Sequence, residues 1–176
     1  TLPKLQSDHA CELLKDPHNF DFLTISQQAK EKELEKGLMN NLKRFLLELG
    51  KGFAFVGEQY HLEIANQDYY LDLLFYNVRL HSYVVFELKI GEFLPEYAGK
   101  MNFYLNAVDE KIKTKDDNPS IGIILCKSKN KIIAEYSLRD MTKPIGIAEY
   151  TVTRAVPENL RLNLPTAEEL EKEFKD

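Results

Sequence analysis

Apolar residues recur at helical spacing between Ser26 and Gly50: Leu34, Leu38, Leu42, Phe45, Leu46 and Leu49. This predicts a long helix, stopped by Gly50-Lys51-Gly52. The pattern then turns to β-type over Phe53–Gly57, Gln59–Ala65, Tyr69–Tyr76 and Ser82–Ile90. Pro95 opens a second helix, whose buried stripe is Tyr97, Met101, Tyr104, Leu105, Val108 and Ile112. After a loop over residues 114–119, Ile121–Cys126 is unbroken in its apolarity, as a strand covered on both faces should be. A helix over Asn130–Arg139 and a strand over Gly146–Thr151 follow. Thr166, with Glu169 three residues on, opens a charged C-terminal helix. Ahead of all this, Asp8–Lys15 reads as a short helix ended by Asp16-Pro17, and Phe20 and Phe22 as side chains packing onto the body. Residues 1–25 are therefore expected to be an appendage, and residues 26–176 the main domain. The order α-β-β-β-α-β-α-β predicts an α/β fold, a mixed central sheet flanked by helices.

Three charges interrupt this apolar pattern: Asp72 in Tyr69–Tyr76, and Glu87 and Lys89 in the next run. Charges are rarely buried without a partner. Glu87 and Lys89, two apart on a strand, share a face. Residues 77–82 are short and polar enough to close a hairpin. If Tyr76 pairs with Tyr83, Asp72 lies opposite Glu87, and the two carboxylates repel. Lys89 supplies part of the neutralising charge, and a divalent metal would supply the rest. Carboxylates are the hard oxygen ligands that Mg²⁺ takes, with Mn²⁺ as a substitute. The carbonyl of Leu88, between Glu87 and Lys89, is a further candidate ligand. A buried ion-pair network of the same residues is the competing reading.

The 176 residues fit one domain, and 44% hydrophobic with 11% aromatic content marks a globular chain. Its apolar runs are too short to cross a bilayer. Cys11 and Cys126 form no spaced motif, so a reducing cytoplasm is the simplest setting. The net charge of −5 argues against a sequence-blind nucleic-acid coat but leaves room for a local basic patch. Lys111, Lys113, Lys115, Lys127, Lys129 and Lys131 form such a run, either tracking a phosphate backbone or forming a solvated rim.

An Asp on one strand and Glu-Xaa-Lys on the next, here Asp72 and Glu87-Leu88-Lys89, resembles the PD-(D/E)XK nuclease superfamily. More closely, the chain resembles the C-terminal nuclease domain of YhcG-like bacterial proteins. The likeness is carried by Leu14-Lys15-Asp16-Pro17, Phe20-Asp21-Phe22-Leu23, Phe45–Gly50, Gly52–Gly57, Asp72–Tyr76, Pro95–Gly99 and Ile121–Cys126, and covers about residues 10–150. It implies a restriction-endonuclease-like core and a metal-dependent phosphodiesterase, with DNA as the expected substrate and Asp72, Glu87 and Lys89 at its centre. It also implies an upstream domain beyond this chain, in keeping with a first residue that is Thr1 rather than Met. The family's glutamine after Gly99 is Lys100 here. A catalytically silent binding or interaction module on the same fold is the alternative function. Homodimerisation is left open.

The superfamily often adds a glutamate from the first helix. At about 100° per residue, Glu35 shares a sector with Met39, Leu42 and Leu46, as does Glu31, while Glu33 and Glu48 point away. Glu35 is the preferred candidate and Glu31 the runner-up. Lys100, Gln59 and Tyr104 are the residues expected to face substrate.

Overall fold

The computed structural model describes the backbone of residues 31–150 and, within the first helix, side chains from Glu35 onward. The N-terminal appendage, Glu31 and Glu33 as side chains, and the C-terminal helix expected from Thr166 lie outside the described residues. The elements are α1 (Glu31–Glu48), β1 (Phe53–Ile64), β2 (Gln67–Asn77), β3 (Ser82–Leu88), α2 (Pro95–Lys111), β4 (Ile121–Cys126), α3 (Lys131–Leu138) and β5 (Ile145–Glu149). The strands form one sheet in the order β1-β2-β3-β4-β5. β1, β2 and β3 pair antiparallel, and β3, β4 and β5 pair parallel. This is the mixed, helix-flanked sheet the sequence predicts. No described helix is long and apolar enough to cross a membrane.

The sheet carries two cores. Leu38, Met39, Leu42 and Leu46 of α1 pack with Leu73, Phe75, Val84, Phe86 and Leu88. On the other face, Ala98, Met101, Tyr104, Leu105 and Val108 of α2 pack with Leu74, Val85 and Ile124. Every residue of β4 is buried, as its unbroken apolar sequence requires. Gly122 lets α2 close down: a Cβ there would lie 2.6 Å from Met101 Cγ.

Two expectations change. Phe53–Gly57 and Gln59–Ala65 are not separate strands but one strand, β1, with a register shift between Phe55 and Gly57. A bulge absorbs the extra residue and pairing resumes beyond it, so the glycine bends the strand without ending it. The lysine run is also divided. Lys111, Lys113 and Lys115 precede β4 whereas Lys127, Lys129 and Lys131 follow it, so the strand's length separates the two groups.

Candidate functional site

The β2–β3 ladder holds Tyr76 against Tyr83 and ends at Leu73 against Phe86. β1 and β2 stay paired past this point, out to Ile64 and Gln67. The sheet therefore forks at the next position, where Asp72 and Glu87 stand. Strand alternation puts Glu87 with Val85 toward the α2 side, and the charges of both Glu87 and Asp72 act on the Tyr104 hydroxyl of α2.

At the fork, side chains replace rungs of the ladder. The Asp72 N–H donates to Glu87 Oε1 at 3.1 Å. The Leu88 N–H donates to Asp72 Oδ2 at 2.8 Å. Gln59 Nε2 of β1 donates to Asp72 Oδ1 at 3.1 Å. Both Asp72 oxygens thus have a fixed donor while each keeps further acceptor capacity. The N–H and C=O of one strand residue point to the same side, so the Leu88 carbonyl is directed toward Asp72 as well.

Glu87 is only 5% exposed. Burial, then the negative charge of Asp72, pushes its carboxyl up to about 7; the Asp72 N–H, Lys89 and Lys100 oppose that rise. Lys89 Nζ lies 3.7 Å from Glu87 Oε2 and 4.8 Å from the centre of the Tyr97 ring. The Lys89 N–H donates to the Leu125 carbonyl at 2.7 Å, tying the residue to β4. The buried Tyr150 hydroxyl lies 3.0 Å from the carbonyls of both Lys89 and Ile90 and shares its single proton between them. Lys100 Nζ sits 5.5 Å from the Tyr104 ring centre. Burial first, then Glu87 and Asp72, pushes the Tyr104 hydroxyl up to about 12, which keeps it a neutral donor.

The structure therefore gathers Asp72, Glu87, Leu88, Lys89, Gln59, Lys100 and Tyr104 around the fork. Glu35 is half-buried on α1, which packs against the opposite face of the sheet. Among the described residues it makes no hydrogen bond or ion pair with this group. Sequence reasoning missed Tyr97 as a partner of Lys89, and Tyr150 as an anchor of its backbone. In the sequence Tyr97 is one more position of an apolar helix stripe. Tyr150 lies 61 residues from Lys89, with no periodicity linking the two.

Among the described residues, no group of three or more His, Cys, Asp or Glu side chains is placed to hold a metal. Two carboxylates and a carbonyl oxygen nonetheless fit a hard divalent cation that keeps several waters. The close approach of Glu87 to Asp72, which raises the Glu87 pKa, is relieved by the same positive charge.

Residues 11–165 match the family model described as the YhcG PDDEXK nuclease domain. Over 151 residues the chain is 37% identical to "Putative nuclease YhcG" of Escherichia coli (strain K12), a stretch covering 86% of this chain and 40% of that protein's length. Among solved structures, a repair endonuclease from Pyrococcus abyssi is similar at a TM-score of 0.46 and 17% identity, over 70% of this chain and 50% of the other. The structure titled "EndoMS-dsDNA2 complex" is similar at a TM-score of 0.47 and 17% identity, over 73% and 48%.

Proposed function

The chain belongs to the YhcG PDDEXK nuclease domain family, and from that premise we propose a Mg²⁺-dependent DNA endonuclease whose centre is the fork between β2 and β3. The observation that carries this reading is the Asp72–Glu87 pair itself, two carboxylates held together by backbone N–H groups at 3.1 and 2.8 Å, with Lys89 beside them.

The carboxylates of Asp72 and Glu87 and the carbonyl of Leu88 would hold the cation. When bound, Mg²⁺ or Mn²⁺ supplies Lewis-acid stabilisation of phosphodiester charge and lowers the pKa of a bound water. Lys89 is held by Glu87 and by the Tyr97 ring, and orients the attacking water at its Nζ. Lys100 and Tyr104, a cation and a neutral hydroxyl on α2, face the substrate phosphate. Glu35 stands outside this proposed centre: the helix projection puts it on the core-facing stripe of α1, but α1 packs on the sheet face opposite Glu87. DNA as substrate, a cytoplasmic setting, a further domain of the longer protein and self-association belong to the same proposal. Its tie to the longer protein rests on the chain spanning 40% of its curated relative.

The test is conversion of supercoiled plasmid DNA to nicked or linear forms by the full chain with Mg²⁺ or Mn²⁺. Cleavage that requires the metal and is abolished in Asp72→Asn supports the proposal. Metal-independent cleavage, or cleavage retained in Asp72→Asn, refutes it.

A further inference from the structure

Gln59 has an uncommon backbone for its residue type. It lies just past the β1 bulge, between the Glu58↔Leu73 and Tyr60↔Leu71 rungs, with φ at 47°. Left-handed backbone suits Gly, and to a lesser degree Asn and Asp. A glutamine there persists only where its surroundings over-determine it. Here they do. Glu58 on one side is ion-paired with Lys43 of α1. On the other side the ladder runs unbroken from Tyr60 to Ile64. The result of this backbone is one specific contact, from Gln59 Nε2 to Asp72 Oδ1 at 3.1 Å.

The geometry points to Gln59 as a positioning residue that fixes the carboxylate of Asp72 toward the metal. The inference rests on the nuclease reading and goes beyond it, because it uses the Gln59 amide on Asp72 rather than on substrate. The Leu88 N–H fixes one oxygen and Gln59 the other. With both in place, the carboxylate plane cannot turn, and each oxygen has a lone pair left for a cation. An ionised carboxylate only accepts hydrogen bonds, so the amide nitrogen must be the atom that faces it. Groups that orient a ligand in this way typically change metal affinity by about 10- to 100-fold when removed.

The backbone makes the test discriminating. Asn and Gly both tolerate positive φ better than Gln does, yet Asn is one methylene too short for this contact and Gly lacks it altogether. Gln59→Asn and Gln59→Gly, made in the full chain, are compared with wild type and Asp72→Asn by Mn²⁺ titration calorimetry, thermal melting without metal, and plasmid cleavage across a Mn²⁺ series. The inference expects both Gln59 variants to melt at or above the wild-type temperature. It also expects Mn²⁺ to bind about 10- to 100-fold more weakly, with cleavage recovered at high Mn²⁺. Wild-type Mn²⁺ affinity in both variants, while Asp72→Asn loses binding, overturns the role of Gln59 and leaves the nuclease reading standing. A wild-type chain that binds no Mn²⁺ overturns both.

Discussion

The backbone N–H of Asp72 donates to the buried carboxylate of Glu87 at 3.1 Å, one position past the last rung joining their strands. A rung of the sheet has been exchanged for a carboxylate contact, and that exchange brings two acidic groups together.

One consequence is a pH-dependent stability in metal-free protein. Burial and Asp72 raise Glu87 from 4.5 to about 7. Between those values the folded state holds a proton that the unfolded chain has released. The contribution is therefore fully present below about pH 4.5 and is lost as pH rises through about 7, in total about 3 kcal/mol. Urea melts without metal should show stability falling from pH 5 to pH 8. Glu87→Gln should flatten that slope. Saturating Mn²⁺ should flatten it too in wild type, because the cation favours the ionised pair.

The Asp72–Glu87 pairing was legible in the sequence because it needed only strand periodicity and one hairpin. Tyr76 and Tyr83 flank a short polar segment, and counting back from that pair reaches Asp72 and Glu87. The bulge was not legible, since a glycine in a strand looks the same whether pairing stops or resumes beyond it. The cradle was hidden for another reason. Its donors are the backbone N–H groups of Asp72 and Leu88, which every residue except proline possesses. The sequence puts Tyr150 within the last strand, whereas β5 ends at Glu149 and Tyr150 lies just past it, with two carbonyls beyond the end of β3 as its target.

Tyr150 should prove to be an anchor for Lys89. Burial holds its hydroxyl at about 12, so it remains a donor throughout the working pH range. Tyr150→Phe removes that donor and leaves two carbonyls short of a partner. The expected loss in a urea melt is about 1 kcal/mol. Metal binding should be unchanged while kcat for plasmid cleavage falls, because the displaced group is Lys89 and not a ligand. An equal fall in Mn²⁺ affinity would count against this division of roles.

Glu35 offers a test of the helix projection against the contacts. α1 packs on the face carrying Leu73, Phe75 and Phe86, whereas Glu87 lies on the side of Val85 and α2. Glu35→Gln is therefore expected to leave Mn²⁺ affinity at the wild-type value. A clear weakening by calorimetry would bring α1 into the metal site and restore the projection as the better guide.

The sharpest separation between a nuclease centre and a buried ion-pair network comes from Asp72 and Lys89 taken together. Asp72→Ala removes a proposed ligand, so Mn²⁺ binding should weaken strongly and cleavage should disappear. It also leaves the Leu88 N–H and Gln59 without their acceptor, which adds a stability loss of about 1–3 kcal/mol. Lys89→Ala removes no ligand. Cleavage should disappear, yet Mn²⁺ should bind at least as tightly, because a cation 3.7 Å from Glu87 no longer competes. In metal-free protein the same change leaves Glu87 with less compensation, and protonation of that carboxylate limits the damage near neutral pH. The Lys89→Ala melting temperature should thus rise more steeply with added Mn²⁺ than that of wild type. An ion-pair network predicts something different: both variants destabilised, and melting temperatures of all three proteins indifferent to millimolar metal. That pattern would remove the metal from this fork and with it the hydrolytic role of Lys89.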